Sequence, residues 1–230
     1  PIAPDGEPLV PVDLPVPEPG EGEVLIRVAA CGVCHTELDE VEGRTPPPRL
    51  PVIPGHEVVG TVVRHGPGVD HPPAGTRVGI GWIHHGSGGP KENLDPAFRA
   101  TGRDVDGGYA EYMIARADYA FPVPARFSDA QAAPLLCAGA VGWRALTLTG
   151  IGNGQSLGLT GFGGSAHIVA AMVQHLYPDT RIHVFARDPA QREFACSLGA
   201  SWAGNTTDRA PEPLDAIIDT TPAWLPVVEA

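Results

Sequence analysis

A chain of 230 residues with a net charge of −12 argues against a nucleic-acid partner and against an anionic membrane surface. No apolar run approaches the ~20 residues that cross a bilayer as a helix, and no basic-then-apolar signal segment opens the chain. The length allows one or two domains with real cores, and four cysteines in such a length do not make a disulfide framework.

Residues 1 to about 125 read as β-rich. Strands are expected over 23–28, 57–63, 76–82 and 108–115. Between them lie breakers such as Thr45-Pro46-Pro47-Pro48, which continue neither a strand nor a helix. Short strands so punctuated predict a compact irregular barrel. Ser128 is a good N-cap for a helix running through Gln131 to about Leu146, despite Pro134 near its start. Strands over 157–160, 181–185 and 214–219 then alternate with helices over 166–176 and 190–198. That alternation predicts a parallel sheet with crossover helices. The fold class is therefore α/β with a β-rich part, divided into residues 1–125 and 126–230.

Three residues carry the chemistry. Cys34 sits in Cys31-Gly32-Val33-Cys34-His35-Thr36, His56 in Pro54-Gly55-His56-Glu57, and Cys137 in Leu135-Leu136-Cys137-Ala138-Gly139. Two thiolates and one imidazole make a ligand set for a tetrahedral zinc with an open fourth position, the mark of a catalytic site. Isolated cysteines are more often small buried hydrophobes, the reading kept for Cys31 and Cys196. Convergence of the three ligands to within about 4 Å of one another is what bonds to a common ion demand. Thiolate ligands suit a reducing cytoplasm. A second motif, Gly161-Phe162-Gly163-Gly164-Ser165-Ala166, fits G-x-G-x-x-A between a predicted strand and a predicted helix, the context a dinucleotide turn requires.

At these residues the chain resembles the zinc-dependent medium-chain alcohol dehydrogenases. C-G-V-C-H-T, G-H-E, L-C-A-G and the glycine-rich turn occur in the family's order and at about its spacing. The resemblance implies a GroES-like irregular β-barrel over 1–125 and an incomplete Rossmann-type sheet over 126–230. It also implies one catalytic zinc on Cys34, His56 and Cys137. Glu57 is then a carboxylate behind the metal or an occasional ligand to it, and Glu37 takes the place of the family's usual Asp, which helps hold the His ligand. Thr36 is the candidate for proton transfer. Three positions beyond it, where many members relay the proton to a His, this chain has Asp39, so the relay ends differently.

His35 would meet the cofactor pyrophosphate, with a plain surface histidine as the competing reading. Gly161, Gly163, Gly164 and Ala166 would form the cofactor turn. The position where NAD-specific sites carry an acid falls on Ala186 and is followed by Arg187, which tilts the choice between NAD and NADP toward NADP. Asp188 could still reach the ribose. The four-cysteine lobe of many members is absent from the stretch Trp82 to Gly102, so no structural zinc is expected. His84 and His85 are read there as loop or pocket-rim residues.

The implied activity is zinc-dependent interconversion of an alcohol and an aldehyde or ketone with hydride transfer to or from NAD(P). The alternatives are a related aldehyde, polyol or quinone reductase, or a zinc-binding but catalytically incomplete piece. The chain opens at Pro1 without an initiator Met and stops at Ala230 inside what should be a longer α/β domain. A longer parent, a homo-oligomer, is expected. Its partner is a small-molecule alcohol or aldehyde, with no nucleic acid and no membrane.

Overall fold

The computed structural model describes residues 9–89 and 91–229. Contacts divide the chain into two units, Pro1–Cys137 and Ala138–Ala230. The first eight residues of the expected first domain, Pro90 of the cysteine-free stretch and Ala230 lie outside the described residues.

The first unit contains, in order, β1 (Glu23–Cys31), α1 (His35–Val41), β2 (Val58–His65), β3 (Arg77–Ile80), β4 (Ile83–His85), β5 (Arg99–Ala100), β6 (Tyr112–Arg116), β7 (Phe121–Pro122) and α2 (Asp129–Ala132). Five strands form an antiparallel sheet in the order β6-β1-β2-β3-β7. Alternation places its core. Val24 and Ile26 stand two apart on β1, opposite Ala115 and Met113 of β6, and Ile26 also pairs with Val62 of β2. All five are buried in one cluster with Val58, Val78 and Ile80, as the period of two in a strand dictates.

The expected strand over 76–82 divides. β3 stops at Ile80, because Gly81 runs so close to the Leu136 carbonyl that an added Cβ would sit 2.9 Å from its oxygen. The chain then restarts as β4, paired with β5. His84 and His85 therefore stand in a strand and not in a loop. The strand expected from Gly108 begins only at Tyr112. Before it, Gly107 and Gly108 donate their N–H groups to Ile53 and Gly55 (2.7 and 2.9 Å).

The single helix expected after the Ser128 cap, through Gln131 to about Leu146, is broken in two. α2 is capped by Ser128, whose hydroxyl and backbone exchange hydrogen bonds with Gln131. Pro134 has no N–H to continue the α ladder. The chain tightens into a 3₁₀ turn over Ala133–Leu136, leaves helical geometry at Cys137 (φ −122°, ψ −76°), and resumes as α3 (Ala138–Thr149).

The second unit continues with β8 (Ser156–Thr160), α4 (Gly164–Leu176), β9 (Arg181–Phe185), α5 (Pro189–Ser197), β10 (Trp202–Gly204), β11 (Ala216–Asp219) and α6 (Trp224–Glu229). Its four strands are parallel in the order β10-β9-β8-β11. Leu157, Leu159, Ile182 and Val184 on the strands pack with Ala166, Val169, Ala170 and Val173 of α4. Between β10 and β11 the chain crosses without a helix. Among the described residues no single helix is long and apolar enough to cross a membrane.

Candidate functional site

The first site is assembled from the start of α1, the entrance to β2 and the break before α3. Cys34 is extended (φ −103°, ψ 160°) and caps α1. Its N–H donates to Glu37 Oε2 at 2.8 Å, an orphan helix donor satisfied from one turn ahead. The other oxygen of that carboxylate, Oε1, lies 2.6 Å from His56 Nδ1. Gly55, just before His56, has φ +101°, and an added Cβ there would meet the Tyr109 ring at 2.6 Å and Cys31 Sγ at 2.8 Å. Only glycine lets the chain enter β2 at that angle. Gly32 is constrained likewise, because its Cβ would overlap Glu57 Oε2.

The ligand atoms of Cys34, His56, Glu57 and Cys137 all lie within 4.8 Å of one another. Bonds of about 2.0–2.3 Å in a tetrahedral set put donors about 3.3–3.8 Å apart, so the cluster is wider than the separation of about 4 Å expected and must draw inward to hold an ion. Since Nδ1 of His56 faces Glu37, Nε2 is the nitrogen left for a metal. Two sulfurs, one imidazole and one carboxylate suit a borderline-soft divalent ion such as zinc.

Electrostatics bind the cluster together. Hydrogen bonds from Cys137 and His56 lower the Cys34 thiol to about 3. Sharing with Cys34, and then burial, push Cys137 up. Burial works against a charged His56, yet its bonds to Cys34 and Glu37 outweigh it and raise the ring to about 10. Burial, then the charge on Cys34, raises Glu57. Burial also pushes Cys31 up to about 12, so it is a thiol packed under Gly55 and Gly108.

Thr36 Oγ1 lies 3.6 Å from Cys34 Sγ. His35 opens α1 with its side chain 57% exposed and its Nε2 3.6 Å from Asp39 Oδ1. Asp39 itself accepts the Arg44 Nε–H at 2.6 Å. Two features escaped the sequence reading: the Tyr109 hydroxyl, which donates to the Gly32 carbonyl at 3.3 Å, and a buried Glu40 paired with Arg103 (3.0 Å). The Gly107-Gly108-Tyr109 run was the available signal for the first; nothing local announces the second.

The second site is the turn between β8 and α4. Gly161 has φ +75°, and an added Cβ would meet Thr221 at 2.9 Å and Thr220 at 3.1 Å. Gly163 caps α4 and Gly164 is its first residue. Beyond its own neighbours along the chain, an added Cβ at either would meet no atom of the described residues within 4 Å. Packing therefore does not demand glycine there, whereas close approach by a ligand would. Ala166 is fully buried against the sheet. After β9, Ala186 is buried and Arg187 exposed. Arg192 donates to both of their carbonyls (2.7 and 2.8 Å). Asp188 is committed as the cap of α5, accepting the Ala190 N–H at 2.9 Å.

In the cysteine-free stretch, Trp82 and Phe98 pack at 5.7 Å between centroids. Glu92 Oε2 accepts from the Gly88 N–H (2.8 Å) and the Tyr119 hydroxyl (2.9 Å). His84 Nδ1 and His85 Nδ1 are buried without a partner among the described residues.

A β-rich unit bearing thiols and an imidazole, and a second unit with a parallel sheet and a glycine-rich turn, make a protein of the α/β class with a β-rich part. Residues 20–125 match the alcohol dehydrogenase GroES-like domain. A probable alcohol dehydrogenase AdhA of Mycobacterium tuberculosis (strain CDC 1551 / Oshkosh) is 45% identical over 98% of this chain and 69% of its own length. The chain spans about 60% of the length of other curated alcohol dehydrogenases it matches. Among solved structures, a cinnamyl alcohol dehydrogenase of Sorghum bicolor superposes with a TM-score of 0.86 at 29% identity, over 98% of this chain and 70% of that one. The cobalt- and zinc-bound thermostable alcohol dehydrogenase of Pyrobaculum aerophilum gives 0.82 at 26% identity, over 91% and 66%. Other solved neighbours are complexes with NADP(H) or with NAD. The chain belongs to the zinc-dependent medium-chain alcohol dehydrogenase family.

Proposed function

We propose that this protein interconverts an alcohol and an aldehyde or ketone with hydride transfer to or from NAD(P), using one catalytic zinc on Cys34, His56 and Cys137. The convergence of those three side chains with Glu57 inside 4.8 Å carries the reading. Zinc held there supplies Lewis acidity toward an alcohol or carbonyl oxygen.

The chain's own residues do the rest. Glu37 fixes the His56 ring by Nδ1 and the Cys34 backbone by its N–H, so two ligands are oriented by one carboxylate. Thr36, beside Cys34 Sγ, accepts the hydrogen bond of the substrate hydroxyl and passes its own hydroxyl proton onward as the substrate's arrives. Because Asp39 is engaged by Arg44, the proton leaves from Thr36 to solvent. Glu57 places a carboxylate oxygen among the donors and would balance charge at an ion held there.

Residues 1–125 act as the metal-holding domain, completed by Cys137 from the segment that follows, and 126–230 as the dinucleotide domain. Gly161, Gly163, Gly164 and Ala166 receive the pyrophosphate, with His35 as a further contact. A buried Ala186 where an acid would bind ribose, Asp188 committed to a cap, and an exposed Arg187 favour NADP over NAD. The substrate is a small alcohol or aldehyde, and the protein works in the cytoplasm as a homo-oligomer without nucleic acid or membrane.

The test is metal analysis with turnover. The purified chain is expected to hold about one zinc, to lose it in Cys34→Ser, and to reduce NADP with short alcohols or benzyl alcohol. A chain that retains no ion after zinc loading sinks the assignment. Stoichiometric zinc without turnover in either direction leaves the metal site and selects the catalytically incomplete alternative for this chain.

A further inference from the structure

α1 buries two side chains, and both are carboxylates, Glu37 and Glu40. A short surface helix ordinarily packs by an apolar stripe, and fully buried acids are rare unless paired. Glu37 is accounted for by Cys34 and His56. Glu40, one turn on and 4% exposed, is met by the Arg103 guanidinium, whose Nη1 donates to Glu40 Oε1 (3.0 Å) and the Thr45 carbonyl (2.8 Å) and whose Nη2 donates to the Pro46 carbonyl (3.1 Å). Burial raises the Glu40 carboxyl and Arg103 opposes that rise.

The segment carrying Arg103 also holds the backbone in front of His56. Gly102 (φ +78°) lies so close that an added Cβ would meet Gly55 N at 2.8 Å. Gly107 and Gly108 bond to Ile53 and Gly55. Arg49 reaches back across the same gap, to the Asp104 carbonyl (3.0 Å) and the Asp106 carboxylate (3.2 Å). One strip of chain thus grips the approach to His56 on one side and, through Arg103, the helix bearing Cys34 and Glu37 on the other.

We infer that Arg103 is a positioning residue for the Cys34–His56–Cys137 centre, acting through Glu40 and α1. The inference rests on reading that cluster as the metal centre. Without the guanidinium, a buried carboxylate is left unpaired. α1 must shift to hydrate it and carries Glu37 away from His56.

The experiment uses the full chain as wild type, Arg103→Met, Arg103→Lys, Glu40→Gln, and the double variant Arg103→Met/Glu40→Gln. Arg64→Met, which breaks the surface pair with Glu18, is the control. Zinc affinity is measured by competition with a chromophoric chelator, and the ligand field by the visible spectrum of the cobalt-loaded chain. Arg103→Met is expected to weaken zinc by about 10- to 100-fold, the range for groups that orient metal ligands, and to move the cobalt bands. Arg103→Lys should recover part of the loss. The double variant, with no stranded charge, should lose less than the sum of the singles. Arg64→Met should change neither readout.

Wild-type affinity and an unaltered cobalt spectrum in both Arg103→Met and Glu40→Gln overturn the inference. Should Arg103→Met fail to fold, Arg103→Lys and Glu40→Gln decide by the same readouts. A wild-type chain that takes up no zinc instead overturns the metal-centre reading beneath it.

Discussion

Glu37 Oε1 lies 2.6 Å from His56 Nδ1, while the second oxygen of the same carboxylate accepts the Cys34 N–H at 2.8 Å. One buried side chain therefore sets both the orientation of a ring and the start of a helix. Glu37→Ala removes both constraints at once and is expected to weaken zinc by about 10- to 100-fold. Glu37→Gln keeps the N–H acceptor but loses the charge, so its loss should be smaller. Chelator competition measures both, and affinity unchanged in Glu37→Ala would show that His56 needs no such support.

Zinc uptake is expected to release about two protons per ion near pH 7. Cys34, lowered to about 3, is already a thiolate. His56, raised to about 10, and Cys137, raised above its ordinary value, each hold a proton that the metal must displace. Protons compete with the ion, so affinity falls as pH falls. Titration calorimetry in buffers of different ionisation enthalpy counts the protons, and a count near zero contradicts the coupling among the three groups.

Gly55→Ala is expected to destabilise the chain by at least ~1–2 kcal/mol, the cost of a left-handed backbone for an L residue. Its φ is +101°, and the new methyl would press on Tyr109 and Cys31. Denaturant unfolding measures the loss. An unchanged midpoint would mean that the entrance to β2 tolerates another path.

What the sequence made legible follows from how local each signal is. β9, a short apolar run ahead of turn residues, appears over the residues expected, Arg181–Phe185. The glycine turn lies between a strand and a helix, as its flanks predicted. α1 was missed because its cap is a cysteine and its buried face is two glutamates, so neither capping nor apolar periodicity advertised it. The break at Cys137 was missed because helical periodicity runs straight across Ala133–Leu136; only Pro134 hinted at it. Arg103 and Glu40 stand 63 residues apart, and no local pattern links a distant guanidinium to one acid among many. β10, three residues long, is set by its pairing with β9 and not by its own composition.

The dinucleotide turn makes a separable prediction, because its glycines are required for different reasons. Gly161 combines φ +75° with Thr221 at 2.9 Å from an added Cβ, so Gly161→Ala should lower stability whether or not any ligand binds. Gly163 is extended (φ −87°, ψ −159°) and has open space around it, so Gly163→Ala should leave the unfolding midpoint within about 0.5 kcal/mol of wild type. If the turn receives a pyrophosphate, the methyl at Gly163 blocks the backbone's approach, and binding of reduced dinucleotide, followed by its nicotinamide fluorescence, should weaken at least about tenfold, or ~1.4 kcal/mol. Equal binding by Gly163→Ala and wild type would remove the turn from the cofactor site while leaving the metal centre untouched, since the two sets of residues lie in different units of the chain.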